Sequence, residues 1–126
     1  MKYPPKFKKE VKELVEYFQG LAKLDFKGHI LYMSEDIEGR LEDSKVSAES
    51  IINDDYYSAD IRIYPLSLKK WKEEPDSLRN TIAHEISHIL TEPLYCLIFQ
   101  TYRSKCEVER IREQTTEKIA RLMQKI

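Results

Sequence analysis

Between Pro75 and Pro93 the chain repeats apolar residues with the period of an α-helix, and another face of the same helix carries two histidines one turn apart. Leu78, Ile82, Ile86, Ile89 and Leu90 form the apolar stripe. Thr81, His84 and His88 share a face rotated away from it, with Glu85 at the border. Such a helix constrains the rest of the fold, because its stripe must be buried against other elements while the histidines open onto a cleft. Asp76 or Ser77 can cap the first turn. The helix is expected to end near Thr91, since Pro93 disfavours a helical Glu92 and has no N–H for the ladder.

His84-Glu85-Ile86-Ser87-His88 reads H-E-x-x-H. Histidines four apart on a helix can reach one point in space. A zinc ion accepts imidazole nitrogens in a tetrahedral shell, and a catalytic zinc keeps an open position for water. Glu85 is placed to take a proton from that water. The motif therefore points to a zinc hydrolase with His84 and His88 as ligands and Glu85 as general base. A surface helix with two solvated histidines is the bland alternative, and the apolar stripe beside the motif weighs against it. A catalytic zinc ordinarily has three protein ligands. The metzincin pattern would need glycine at position 91 and histidine at position 94, where this chain has Thr91 and Leu94. A carboxylate from a later helix is the remaining common solution, and Glu107, Glu109, Glu113 and Glu117 are available.

A chain of 126 residues suits one domain spanning 1–126, with a modest core. Its formal charge of −1 gives no electrostatic case for nucleic acid or an anionic membrane. No apolar run approaches a membrane span, and Met1 to Lys6 lacks the apolar core of a signal peptide, so a cytoplasmic protein is expected. Cys96 and Cys106 are not spaced as a metal knuckle and read as ordinary thiols. His29 reads as structural or exposed.

Phe7, Val11, Leu14, Val15, Phe18, Leu21 and Ala22 make the first element an amphipathic helix, entered through Pro4 and Pro5 and closing near Gly20. Gly28 to Met33 reads as a strand, Ser34 to Ser44 as a loop and Val46 to Ile52 as a second strand. Tyr57 to Tyr64 alternates, with Ala59, Ile61 and Ile63 on one face and Ser58, Asp60, Arg62 and Tyr64 on the other, as a strand with one face on a core does. Pro65 stops it, and Leu66, Leu68 and Trp71 form a short connector. Tyr95 to Tyr102 reads as a further helical segment. Val108, Ile111, Thr115, Ile119, Leu122 and Ile126 mark the apolar stripe of a long last helix. This order argues α+β.

Ile82 to Tyr95, followed by Glu113-Gln114-Thr115-Thr116-Glu117-Lys118-Ile119-Ala120, resembles small gluzincin-type metallopeptidases, including minigluzincins and phage-type metallopeptidases. The resemblance covers the last third of the chain, with the strand Ala59 to Tyr64 similar to the family's substrate-side strand. It implies a minimal zincin-like fold: an N-terminal helix, a small twisted sheet of about three strands, the H-E-x-x-H helix and a C-terminal glutamate helix. It also implies Zn²⁺ as cofactor, a peptide or protein substrate, and Glu113 as the third ligand. Glu113 lies off the apolar stripe of its helix, on a flank with Thr116 and Ala120, so the flank must face the cleft. Glu109, one turn earlier, is the alternative, and Glu117 is expected to be solvated or to support the ligands.

An extended peptide is expected to pair with a sheet edge running from Ser58 to Tyr64, with Ser58, Ala59, Asp60, Ile61, Tyr64 and Tyr95 as substrate-binding residues and preference set by pockets near Tyr57, Tyr64 and Tyr95. Two other readings stand beside the peptidase: a zinc-binding pseudo-peptidase that regulates without cleaving, and an interaction domain whose histidines are incidental.

Overall fold

The computed structural model describes residues 2–22, 24, 28–38, 45–53, 58–99 and 105–125, and the side chains of all of these except 53, 93–99 and 105–108. In chain order the elements are α1 (Pro5–Leu21), β1 (Ile30–Tyr32), β2 (Ala48–Asn53), β3 (Ser58–Ile63), α2 (Pro65–Glu73), α3 (Ser77–Phe99) and α4 (Lys105–Lys125). The fold is α+β, with four helices and a small three-stranded mixed sheet among the described residues. α3 is the hub, in contact with α1, α2, α4 and β2.

Proline begins two helices, where a fixed φ and a missing N–H cost nothing. Pro5 opens α1, and Pro65 opens α2, turning the expected connector into a helix. The N-terminus of α2 is completed from a distant loop, the Leu66 N–H donating to Asp36 Oδ1 at 2.9 Å. α1 buries Phe7, Val11, Val15 and Phe18, four of the residues expected on its stripe. Trp71 of α2 meets the Phe7 ring edge-on at 5.3 Å and donates Nε1–H to Glu10 at 3.0 Å, which ties α2 to α1.

The core lies between the sheet and the helices. Ala59, Ile61 and Ile63 of β3 are buried, as the alternation predicts, and pack with Leu78, Ile82, Ile86 and Ile89 of α3. Fully burying an Ile or Phe side chain contributes roughly 1.5–3 kcal/mol, so this cluster is the main force seating α3 on the sheet. Tyr3 fastens the short strand β1: its hydroxyl donates towards Met33 O at 2.6 Å and lies 3.1 Å from Ile63 O. Burial is the main cause that pushes this phenol up to about 12.

Three expectations are overturned here. The strand order is β1-β3-β2, so β3 is the central strand and not an edge. α3 does not stop at Thr91 but runs through Pro93 to Phe99, merging with the segment expected to be separate. A proline inside a helix removes a single ladder bond, and a continuous run of neighbours on both sides can carry the helix past it. The stripe expected on α4 is also misplaced, apart from Ile119, which packs against the core. Thr116, Ala120 and Met123 are buried, while Ile111 and Leu122 are exposed, Leu122 by 62%. α4 has turned its small and flexible residues to α3, where close packing demands them.

Candidate metal centre

One helical turn separates His84 and His88 on α3, and the imidazoles meet edge to face with centroids 4.8 Å apart. α4 crosses α3 so that Glu113 reaches both. Its Oε2 lies 3.3 Å from His84 Nε2 and its Oε1 3.3 Å from His88 Nε2. Each of the three residues offers one ligand atom, all within 4.8 Å of one another, and together they can hold a metal ion. The 3.3 Å separations run to the two different oxygens of Glu113, so its carboxylate spans both imidazoles. Two imidazoles and a carboxylate suit a divalent first-row metal.

The flank of α4 that bears Glu113 is the buried one, because Thr116 and Ala120 lie inside. Packing of small residues there thus brings Glu113 to the histidines. Glu109 is not a member of the group. Glu117, one turn beyond Glu113, places Oε2 2.7 Å from His84 Nδ1. Thr116 Oγ1 lies 3.4 Å from His88 Nδ1. Both histidines therefore have a polar neighbour behind the ring, an arrangement that fixes tautomer and orientation and leaves Nε2 for a metal.

The electrostatics follow from these contacts. Without a metal, the hydrogen bond to Glu113 and then that to Glu117 raise His84 from 6.5 to about 9, against the opposing effect of burial. Its partner moves the other way: His84 and His88 hold the Glu113 carboxyl far below the usual carboxylate range. Glu85 faces the opposite situation. Only 5% exposed, its carboxyl is raised by burial, which outweighs the lowering influences of His88, Ser50 and His84.

A cleft of about 590 Å³ opens over the group, with His84, Glu85, His88 and Glu113 on its helical wall and Ala48, Ser50 and Ile52 of β2 on the other. An ion pair between Arg112 and Glu92, 2.9 Å apart, also borders it. The strand facing the metal group is β2, and the strand ladder explains why β3 cannot do the same. Ile61 N–H donates to His29 O, and Ile63 O accepts from Met33 N–H, so these β3 residues bond towards β1. Backbone groups alternate sides along a strand, and Asp60, Arg62 and Tyr64 therefore bond towards β2, opposite Ile51, Glu49 and Ser47. In β2 the intervening residues Ala48, Ser50 and Ile52 direct N–H and C=O to the other edge, which no strand among the described residues pairs.

The residues expected to receive substrate have other roles. Ser58 pairs with Asn53, and Ala59 and Ile61 are core residues. Asp60 accepts from the His29 backbone N–H at 3.1 Å. Tyr64 is buried, its hydroxyl donating to Glu49 at 2.6 Å. The side chain of Tyr95, the side chains of Cys96 and Cys106, and Tyr57 lie outside the described residues. Ser50 was not foreseen, although a polar residue between Ala48 and Ile52 on the inward face of a strand signals a buried partner.

The chain matches no family model, and comparisons with curated proteins and with solved structures give no match. No helix among the described residues is long and apolar enough to cross a membrane.

Proposed function

We propose that the protein is a zinc-dependent peptidase of the gluzincin type on a minimal zincin-like fold, with His84, His88 and Glu113 as ligands and Glu85 as general base. The observation that carries the reading is Glu85, a buried carboxyl beside the His–His–Glu group, facing a cleft whose other wall is a strand edge unpaired among the described residues. An interaction domain has no use for a buried acid next to three converging donors. When bound, zinc supplies Lewis acidity that activates water and polarises a carbonyl.

The chain's own residues do the rest. The N–H and C=O groups of Ala48, Ser50 and Ile52 pair with an extended peptide and lay its backbone along the cleft. Glu85 takes the proton of the attacking water and later returns it to the leaving amine. Burial suits the first half of that task, because a carboxyl raised by burial takes up a proton more readily than an exposed one. Glu117 and Thr116 keep the histidine rings in place.

The test combines metal analysis with peptide hydrolysis. The purified chain is expected to hold one zinc and to cleave members of a mixed peptide library. Glu85→Gln should keep the zinc and lose about 10²–10⁴-fold in rate. A parent protein that binds zinc and cleaves nothing in the library would leave the regulator reading in its place, and iron in the metal analysis would redirect the chemistry.

A further inference from the structure

Ser50 sits at the junction of the two walls. Its Oγ lies 2.8 Å from Glu85 Oε1 and 3.0 Å from Glu85 backbone O. A serine hydroxyl has one proton, and the shorter contact directs it to the carboxyl. No other hydrogen bond to the Glu85 carboxyl is present among the described residues, so Oε1 is committed to Ser50 and Oε2 is left for the cleft. The backbone of the same serine points to the unpaired edge of β2. One residue therefore touches the buried acid with its side chain and offers its main chain where a peptide strand would add.

We infer that Ser50 is a positioning residue: it fixes Glu85 in the rotamer that presents Oε2 to the cleft, and it holds that oxygen in register with a peptide paired on β2. The inference rests on the peptidase reading. The physical need is clear from the surroundings. Glu85 is 5% exposed, and water cannot hold its carboxyl in one orientation. With Oε1 accepting from Ser50, Oε2 can take a proton and return it while the anchoring bond persists, because Oε1 is an acceptor in both states. Without the hydroxyl, no hydrogen bond among the described residues holds the carboxyl in that rotamer. Peptide pairing uses only the Ser50 backbone, so side-chain removal should spare binding.

The experiment compares zinc-loaded Ser50→Ala, Ser50→Thr and Ser50→Cys with the parent on a peptide that the parent cleaves. Ser50→Ala is expected to lower kcat by about 10- to 100-fold, the scale set by a misplaced reacting group, with KM and zinc content unchanged. Ser50→Thr should restore most of the rate, and Ser50→Cys, a weak donor of similar size, should fall between. In a Glu85→Gln background the alanine change should add no further loss, since the two groups act as a unit. A second readout needs no activity: in urea unfolding with EDTA present, Ser50→Ala and Glu85→Gln should destabilise non-additively. An unchanged kcat in folded, zinc-loaded Ser50→Ala, or strictly additive unfolding, overturns the inference while the peptidase reading stands. A loaded parent that cleaves nothing removes the peptidase reading and the kinetic role of Ser50 together. If Ser50→Ala does not fold, the kcat of Ser50→Cys decides the matter by the same criterion.

Discussion

The two walls of the cleft are built on different principles. The helical wall, α3 with α4, offers side chains: His84, His88 and Glu113 converge, and Glu117 and Thr116 stand behind them. The strand wall, β2, offers main chain, through the outward groups of Ala48, Ser50 and Ile52. Side-chain chemistry is specific to residue type, and one substitution can remove it. Main-chain chemistry is the same at every residue, and only proline or a change of register removes it. Loss of a metal-binding side chain on the first wall should thus show in metal binding, and loss of a main-chain donor on the second in substrate binding.

The strongest attempt to break this division is His84→Ala or His88→Ala. Each removes a proposed ligand and is expected to weaken metal binding by more than ~100-fold, beyond the range for groups that only support a ligand. Unchanged stoichiometry and affinity by calorimetry would eliminate the site. Next in size is Glu117→Gln, which keeps the shape but weakens the hold on His84 Nδ1. Zinc affinity should fall by roughly 10–100-fold, and an unaltered affinity would mean that packing alone orients the ring.

On the strand wall, Ala48→Pro deletes one outward N–H and leaves the bonds between β2 and β3 in place. Loss of one backbone hydrogen bond, about 0.5–1.5 kcal/mol, should raise KM by about 2- to 10-fold with zinc content unchanged. A fall in zinc content instead would show that the walls are not independent.

A further test is the pH dependence in EDTA. His84 is raised from 6.5 to about 9, so its contribution to stability is complete below 6.5 and disappears as pH rises through about 9. Glu113 is lowered, and its contribution is present above the ordinary carboxylate range and lost only in strong acid. Glu85, raised by burial, adds a loss in the alkaline direction. The metal-free unfolding midpoint should therefore decline between pH 6.5 and 9, and Glu113→Gln should flatten the decline. A midpoint that rises over that interval would contradict the pairing of His84 with Glu113.

Particular residues separate what was legible in sequence from what was not. On α3, Leu78, Ile82, Ile86 and Ile89 are buried, while His84 and His88 border the cleft, because large apolar side chains at helical spacing leave few choices of face. Leu90, at the edge of that stripe, is 41% exposed. On α4 the same reasoning selected Ile111 and Leu122, and both are exposed. The buried flank carries Thr116, Ala120 and Met123, whose value lies in how closely they let α4 approach α3. Hydrophobicity ranks residues by transfer from water, and it does not register the fit between two helices.

By itself the sequence determined the local patterns: where α1, β3 and the first four turns of α3 form, which face of α3 is apolar, and that two histidines and a glutamate lie within one turn of each other. Those properties depend on φ/ψ preferences and on side-chain period along a continuous segment. Tertiary structure alone decided that β3 is central and β2 is the edge, that Glu113 joins the histidines with Glu117 behind His84, and that Ser50 meets Glu85 across 35 positions of chain. Strand order and helix rotation are chosen by the total burial and hydrogen bonding of the assembled layers, quantities that belong to no single segment.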